Sequence, residues 1–233
     1  MARLSFVSDD ALEREVKYLL DIANKAKIKS EFDFTRNVID PFAILFEMSG
    51  FDVDEATWEK GEKNRQIQKS LQNHVGAFHQ RILGCVDGWQ DAGMGGVVDL
   101  VSKKHKIIAE VKNKYNTVKG SDKVKIYDSL ENQVTTKGHQ FKGYTAYYVE
   151  VIPKSGQRYD KEFTPSDNAK GQQRKANPKI RQIDGDSFYH LVTGVPDTLS
   201  QLFSVLPDVI EQNSGYKFTD RKFAQRFFHK AFG

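Results

Sequence analysis

Two short apolar runs lie close together near the middle of the chain, Val97 to Ser102 and Lys106 to Lys112, separated by Lys103, Lys104 and His105. Alternate residues of a strand share a face, so Glu110 and Lys112 are neighbours while Val111 points the other way. The other face, Val98, Leu100, Ile107, Ala109 and Val111, is wholly apolar and demands burial. A hairpin of these runs constrains the fold more than any other feature, because it carries carboxylates on strands that are otherwise buried. Whether Asp99 joins Glu110 depends on the loop. A two-residue loop puts Asp99 opposite Ile108 and diagonal to Glu110, a four-residue loop puts it directly opposite Glu110, and an odd loop separates the two acids.

Two carboxylates sharing one buried face repel each other and lose hydration. A divalent cation removes both costs, and carboxylate oxygens with water suit Mg²⁺, which favours bound phosphate. Lys112 beside such an ion could hold or deprotonate an attacking water, or stabilise charge on a phosphoryl oxygen. The plainer alternative is an ion pair of Lys112 with Glu110 or Asp99 on an exposed strand, which sits poorly with Val97, Val101 and Ile108 as neighbours.

The surrounding pattern is α/β. Leu12, Val16, Leu19, Leu20 and Ala23 recur at helical spacing behind Ser8 or Asp9 as N-cap, and Asp40-Pro41 starts a second helix ending near Gly50. Ile67, Leu71, Val75, Phe78 and Ile82 mark one buried face of a helix from about residue 63 to 83. Residues 128–140 read as a helix and 144–152 as an aromatic, β-branched strand. Strand or short helix follows near 183–192, then helices over about 196–212 and 219–232. The whole is expected to be a single domain over 1–233: a helical part (1–60), a core (61–152), a long polar segment (153–182) and a C-terminal helical part (183–233). The C-terminal phenylalanines 218, 223, 227, 228 and 232 are expected in the core.

Charge adds a partner. The chain carries 35 Lys and Arg against 31 Asp and Glu, but residues 103–125 hold eight lysines against Glu110 and Asp122, and 153–182 hold eight basic residues against three acidic ones. Such segregation suits a polyanion. The polar segment is too long for an ordinary connection and supplies the side chains that read base edges: Arg158, Asn168, Lys170, Gln172, Gln173, Arg174, Lys175, Asn177, Lys179 and Arg181. Lys114, Lys119 and Lys123 are expected on phosphates.

Other chemistries fall away. One cysteine, Cys85, forms no intrachain disulfide, and the six histidines show no zinc spacing. Gly93-Met-Gly-Gly precedes a strand rather than a helix and lacks the Lys-Ser/Thr of a phosphate loop. Asp9, Asp10 and Glu13 stand where a signal peptide needs an apolar run, and Pro41 to Met48 is too short to cross a bilayer, so a cytoplasmic protein with no membrane partner is expected.

An aspartate, ten intervening residues and Glu-Val-Lys resemble the signature of the PD-(D/E)XK nucleases, with Asp99 and Glu110 as its acids, Lys112 as its lysine and Val98 in place of the usual proline. The order of elements over about 60–152 is similar to the αβββαβ restriction-endonuclease-like core with its mixed central sheet, here with helical additions at both ends. Residues 110–117, with Gln72, Asn73, Gly76, His79 and Gln80 in the preceding helix, resemble type II restriction endonucleases that cut GGNCC-like palindromes. The resemblance implies Mg²⁺ on Asp99, Glu110 and the Val111 backbone carbonyl, and hydrolysis of double-stranded DNA at a short palindrome to leave 5′-phosphates. It adds Gln72, Asn73, Asn113, Asn116 and Thr117 to the DNA contacts. It also implies a homodimer and a cognate DNA methyltransferase as a genetic rather than physical partner. The alternatives on this reading are a junction-resolvase-like repair nuclease and a non-catalytic DNA-binding protein. Gln72, Asn73 or His79 could assist metal or phosphate, but no acid lies in the matching turn to serve as a third carboxylate ligand.

Overall fold

The hairpin forms with a four-residue turn. In a computed structural model, which describes residues 2–93, 98–167 and 169–233 apart from the Arg36 side chain, β2 (Leu100–Ser102) pairs antiparallel with β3 (Ile107–Lys114) in the register Leu100↔Ala109, Val101↔Ile108 and Ser102↔Ile107. Lys106 closes the turn in the left-handed region at φ 54, a conformation costing about 1 kcal/mol for a residue with a Cβ. Its carbonyl accepts a hydrogen bond from the Thr145 N–H at 2.9 Å, which ties the turn to the next strand. The strand expected from Val97 is shorter, starting at Leu100; Val97 itself, the glycines 95 and 96, and Asn168 lie outside the described residues.

The described residues divide into two units, residues 17–75 and residues 1–16 with 76–233. The first is helical: most of α1 (Asp9–Phe32), all of α2 (Pro41–Phe51) and the first two-thirds of α3 (Glu55–Gly84). Asp40 caps α2 by accepting from the Phe42 and Ala43 N–H groups, with proline at the first helical position as expected. Helix α3 starts eight residues before the expected Lys63, because Asp54 accepts the Thr57 N–H and begins it in a polar stretch that lacks a stripe.

The second unit holds a six-stranded mixed sheet in the order β1-β2-β3-β4-β8-β5. Strands β1 (Gln90–Asp91), β2 and β3 are antiparallel; β3, β4 (Thr145–Ile152) and β8 (Ile180–Asp184) are parallel; β5 (Asp160–Glu162) returns antiparallel on β8. Helix α4 (Gly120–Thr135) crosses from β3 to β4, and its Tyr127, Leu130 and Val134 pack with Ile108, Ala146, Tyr148 and Ile180. Alternation turns Tyr147 to the opposite face, where it meets Phe188 of α5 (Gly185–Thr193). Two helices follow, α6 (Thr198–Ser214) and α7 (Arg221–Phe232).

Three expectations are corrected. Helix α4 starts eight residues and ends five residues before the expected 128–140, so Lys123 and Lys125 sit on it. The polar segment 153–182 is not an open loop: it contains β5, the start of β8 and a small hairpin of β6 (Ser166–Asp167) with β7 (Gln172–Gln173). Helix α7 buries none of its residues fully, and Phe223 and Phe227 are more than half exposed.

Candidate active site

The β2–β3 register that follows the four-residue turn ends at Leu100↔Ala109, and Asp99, one residue beyond it, lies near enough to Glu110 to feel its charge. Asp99 is held from several sides. Its N–H donates to the Ala109 carbonyl at 3.0 Å and its own carbonyl accepts from the Ala92 N–H at 2.9 Å. Its side chain leaves the strand end and accepts the Val111 N–H at 2.7 Å. In extended backbone the N–H and C=O of one residue face the same neighbour, so the Val111 carbonyl also points to the Asp99 side. Burial, then the nearby Glu110, push the Asp99 carboxyl up to about 6, against the Val111 hydrogen bond and Lys112, which lower it.

Glu110 and Lys112 are partly buried and paired, Nζ to Oε1 at 2.6 Å. Helix α4 supplies Lys125, Ile126, Ser129 and Leu130 to a small cleft beside Glu110. Next in register to Lys112 stands Glu150 of β4, nearly fully buried. It accepts from Lys123 Nζ at 2.6 Å, the Tyr159 hydroxyl at 2.6 Å and Gln182 Nε2 at 2.9 Å. Burial and Glu150 keep the Tyr159 phenol far above its ordinary range.

Two further acids, Asp91 and Glu150, have no place among the residues expected from the sequence. Gln80 of α3 donates through one amide to the Asp91 carboxylate at 2.8 Å and to the Asp99 carbonyl at 3.2 Å, while Asp91 also accepts the Gly93 N–H at 2.8 Å. A Cβ on Gly84 would stand 2.7 Å from Asp91, so this contact between α3 and β1 requires glycine. Asp91 is therefore an acid near Asp99 that the α3 sequence gave no reason to expect; among the described residues no group of three His, Cys, Asp or Glu is arranged to hold a metal. Glu150 had one signal, a lone charge within an otherwise apolar strand.

The expected DNA contacts fare unequally. Asn113 points away from Glu110 and Lys112, toward α3, its Cβ 3.5 Å from where a Cβ on Gly76 would be. Lys114 ends β3, and Asn116, Thr117 and Lys119 follow it exposed. Gln72 and Asn73 are exposed on α3 within the helical unit. Gln172, Gln173, Lys175 and Lys179 are exposed, although Lys179 Nζ donates to the Gly143 carbonyl at 2.6 Å. The arginines are engaged within the protein: Arg174 bridges Asp128 and Asp167 at 2.7 and 2.9 Å, Arg181 pairs with Asp160 at 2.6 Å, and Arg158 pairs with Asp186. Lys123, expected on phosphate, is instead the partner of Glu150.

Comparison with known proteins adds kinship. The family described as "Eco47II restriction endonuclease" matches residues 4–213. The type II restriction enzyme Eco47II of Escherichia coli is 48% identical over 240 residues, covering 100% of both chains. The type II restriction enzyme Sau96I of Staphylococcus aureus is 30% identical over 212 residues, 89% of this chain and 80% of the relative. No solved structure matches.

Proposed function

The chain belongs to the Eco47II restriction endonuclease family, a type II restriction endonuclease and so a site-specific deoxyribonuclease, and we propose that its sheet unit uses Mg²⁺ to hydrolyse double-stranded DNA at a short palindrome, leaving 5′-phosphates. The observation that carries this reading is the closeness of the Asp99 and Glu110 carboxylates, with Lys112 paired to Glu110. The donor set fits a hard cation: two neighbouring carboxylates and a backbone carbonyl, with Asp99 driven toward protonation by burial and then by the charge of Glu110. Asp99, Glu110 and the Val111 carbonyl would hold the ion, with water completing its shell. When bound, Mg²⁺ supplies a Lewis acid for the phosphoryl oxygens and the attacking water.

The protein's own groups do the rest. Asp99 is anchored by the Val111 N–H, so its carboxylate is oriented before DNA arrives. Lys112 now neutralises Glu110; with that charge met otherwise, its ammonium is released to hold the attacking water or to steady charge on a phosphoryl oxygen. Buried Glu150, held by Lys123 and two further donors, stands next in register to Lys112. Attack on phosphorus breaks the bond to the 3′ oxygen, which leaves as a hydroxyl once protonated, and the phosphate stays on the 5′ end.

Lys114, half-buried at the end of β3, and Asn116, Thr117 and Lys119, exposed just beyond it, are placed in sequence to grip the backbone near the cut. Gln172, Gln173 and Lys175, on and beside the β6–β7 hairpin, have free reach for base edges. Cleavage of both strands of a palindrome calls for a two-fold homodimer. Protection of host DNA then falls to a cognate methyltransferase, and the setting is cytoplasmic, in keeping with the absence of any helix among the described residues long and apolar enough to cross a membrane.

The test is digestion of plasmid DNA with Mg²⁺ or with EDTA, followed by sequencing of the ends. Discrete fragments with 5′-phosphates in Mg²⁺ alone are expected. No cleavage with any divalent metal overturns the reading.

A further inference from the structure

Helix α2 is apolar almost throughout yet exposed. Ala43, Ile44 and Met48 turn partly inward, whereas Phe42, Leu45 and Phe46, at i, i+3 and i+4, form one stripe with exposures of 73%, 68% and 78%. Val38, in the chain leading to the helix, is fully exposed. Together these four side chains offer about 600 Å² of apolar surface, the upper end of what the largest patch of a monomer usually exposes.

Charge narrows what can cover it. Residues 31–62 carry nine acidic side chains against Arg36 and Lys60. A surface so framed repels DNA and anionic lipid, so it is no extension of the nucleic-acid site. The preceding stretch, residues 17–30, has four lysines against Asp21. A second copy therefore presents both signs of charge as well as a matching apolar stripe, which is what an isologous interface needs. Two copies of the stripe remove about 1,200 Å² from water, the lower bound for a stable interface.

We infer that Phe42, Leu45, Phe46 and Val38 form the surface through which two copies of this chain associate. This locates the homodimer of the proposed restriction activity in the helical unit, and rests on that reading for the need of two copies.

The experiment is light scattering coupled to gel filtration over a concentration series, on the full chain and on Phe42→Glu/Phe46→Glu, Phe42→Ser/Phe46→Ser and Phe227→Glu, with circular dichroism to verify folding. The wild type and Phe227→Glu are expected at twice the 26.6 kDa of one chain. The glutamate pair is expected to weaken association at least a hundredfold, and the serine pair, which adds no charge, at least tenfold. A wild type that stays monomeric at about 50 µM overturns the inference, as do variants that dimerise like the wild type, dissociation by Phe227→Glu alone, or a monomer that instead partitions onto phosphatidylcholine vesicles. The nuclease reading is judged separately by plasmid cleavage in the same samples.

Discussion

Asp99 owes its position to its backbone as much as to its charge. Ala109, Ala92 and Gln80 fix its peptide groups and Val111 fixes its carboxylate, so the acid cannot swing away from Glu110 to relieve repulsion. A bound cation, as proposed, would relieve it instead. With about 10 mM Mg²⁺ and a dissociation constant near 1 mM, binding adds about 1.4 kcal/mol, a rise of roughly 3–5 °C in the melting temperature of a chain this size. Asp99→Asn keeps an acceptor for the Val111 N–H but removes one of the neighbouring charges. It is expected to melt at or above the wild type in EDTA and to show no Mg²⁺-dependent rise, as thermal melts with and without the ion will report. At this scale much was legible: the spacing of Asp99, Glu110 and Lys112 and their alternation needed only strand geometry. The loop parity was not, because nothing local says that Lys106 takes a left-handed turn. Glu150 was not either, since Lys123, Tyr159 and Gln182 reach it from three separate stretches of sequence.

Among the elements, α3 carries the longest chain of consequences. Its last turns bring Gln80 to Asp91 and His79 to α5, where Nδ1 lies 2.8 Å from the Tyr189 hydroxyl. The remaining surface of His79 faces an apolar cavity lined by Phe78, Leu202 and Phe228 rather than open water, and burial pushes its pKa down to about 4. The unfolded chain binds this proton near pH 6.5, the folded one only near 4, so stability is lost as pH falls between those values. The loss is on the order of 2 kcal/mol, and His79→Gln should flatten the acid limb of a pH series of melts, whereas an unchanged limb would assign it to other groups. The stripe of α3 was readable, but α4 was read late because its first turns are lysine-rich and begin without a side-chain cap. The 153–182 segment was misjudged as a loop because composition reports polarity, not pairing: β5 and β7 are edge strands with no buried face, and only Ile180, Ile183 and Asp184 of β8 are fully inside.

On the scale of the whole molecule, the net charge of +4 is a small difference between segregated surfaces: basic after β3 and acidic along 31–62. The basic windows 103–125 and 153–182 are visible in the sequence, but three arginines and Lys123 within them are consumed by internal ion pairs. On the proposed reading, the lysines at and after the end of β3 set the salt dependence of DNA binding. Lys114→Ala and Lys119→Ala should each lower the slope of log K against log salt by about one. Lys123→Ala should leave the slope unchanged and lower stability instead, because Glu150 is left buried with its cationic partner gone. Binding isotherms at several salt concentrations decide between them. The division into two units had no signature in composition, since α1 and α3 run unbroken from one to the other.

The central claim is that Asp99 and Glu110 together create the hydrolytic site. It is tested most directly by single-turnover cleavage of cognate DNA at saturating Mg²⁺ with Asp99→Asn and Glu110→Gln, beside a filter-binding measurement in Ca²⁺. Each substitution is expected to slow cleavage at least about a thousandfold, 4 kcal/mol or more of lost transition-state stabilisation, with DNA still bound within about tenfold of the wild type. Cleavage by either variant at a rate near the wild type contradicts it.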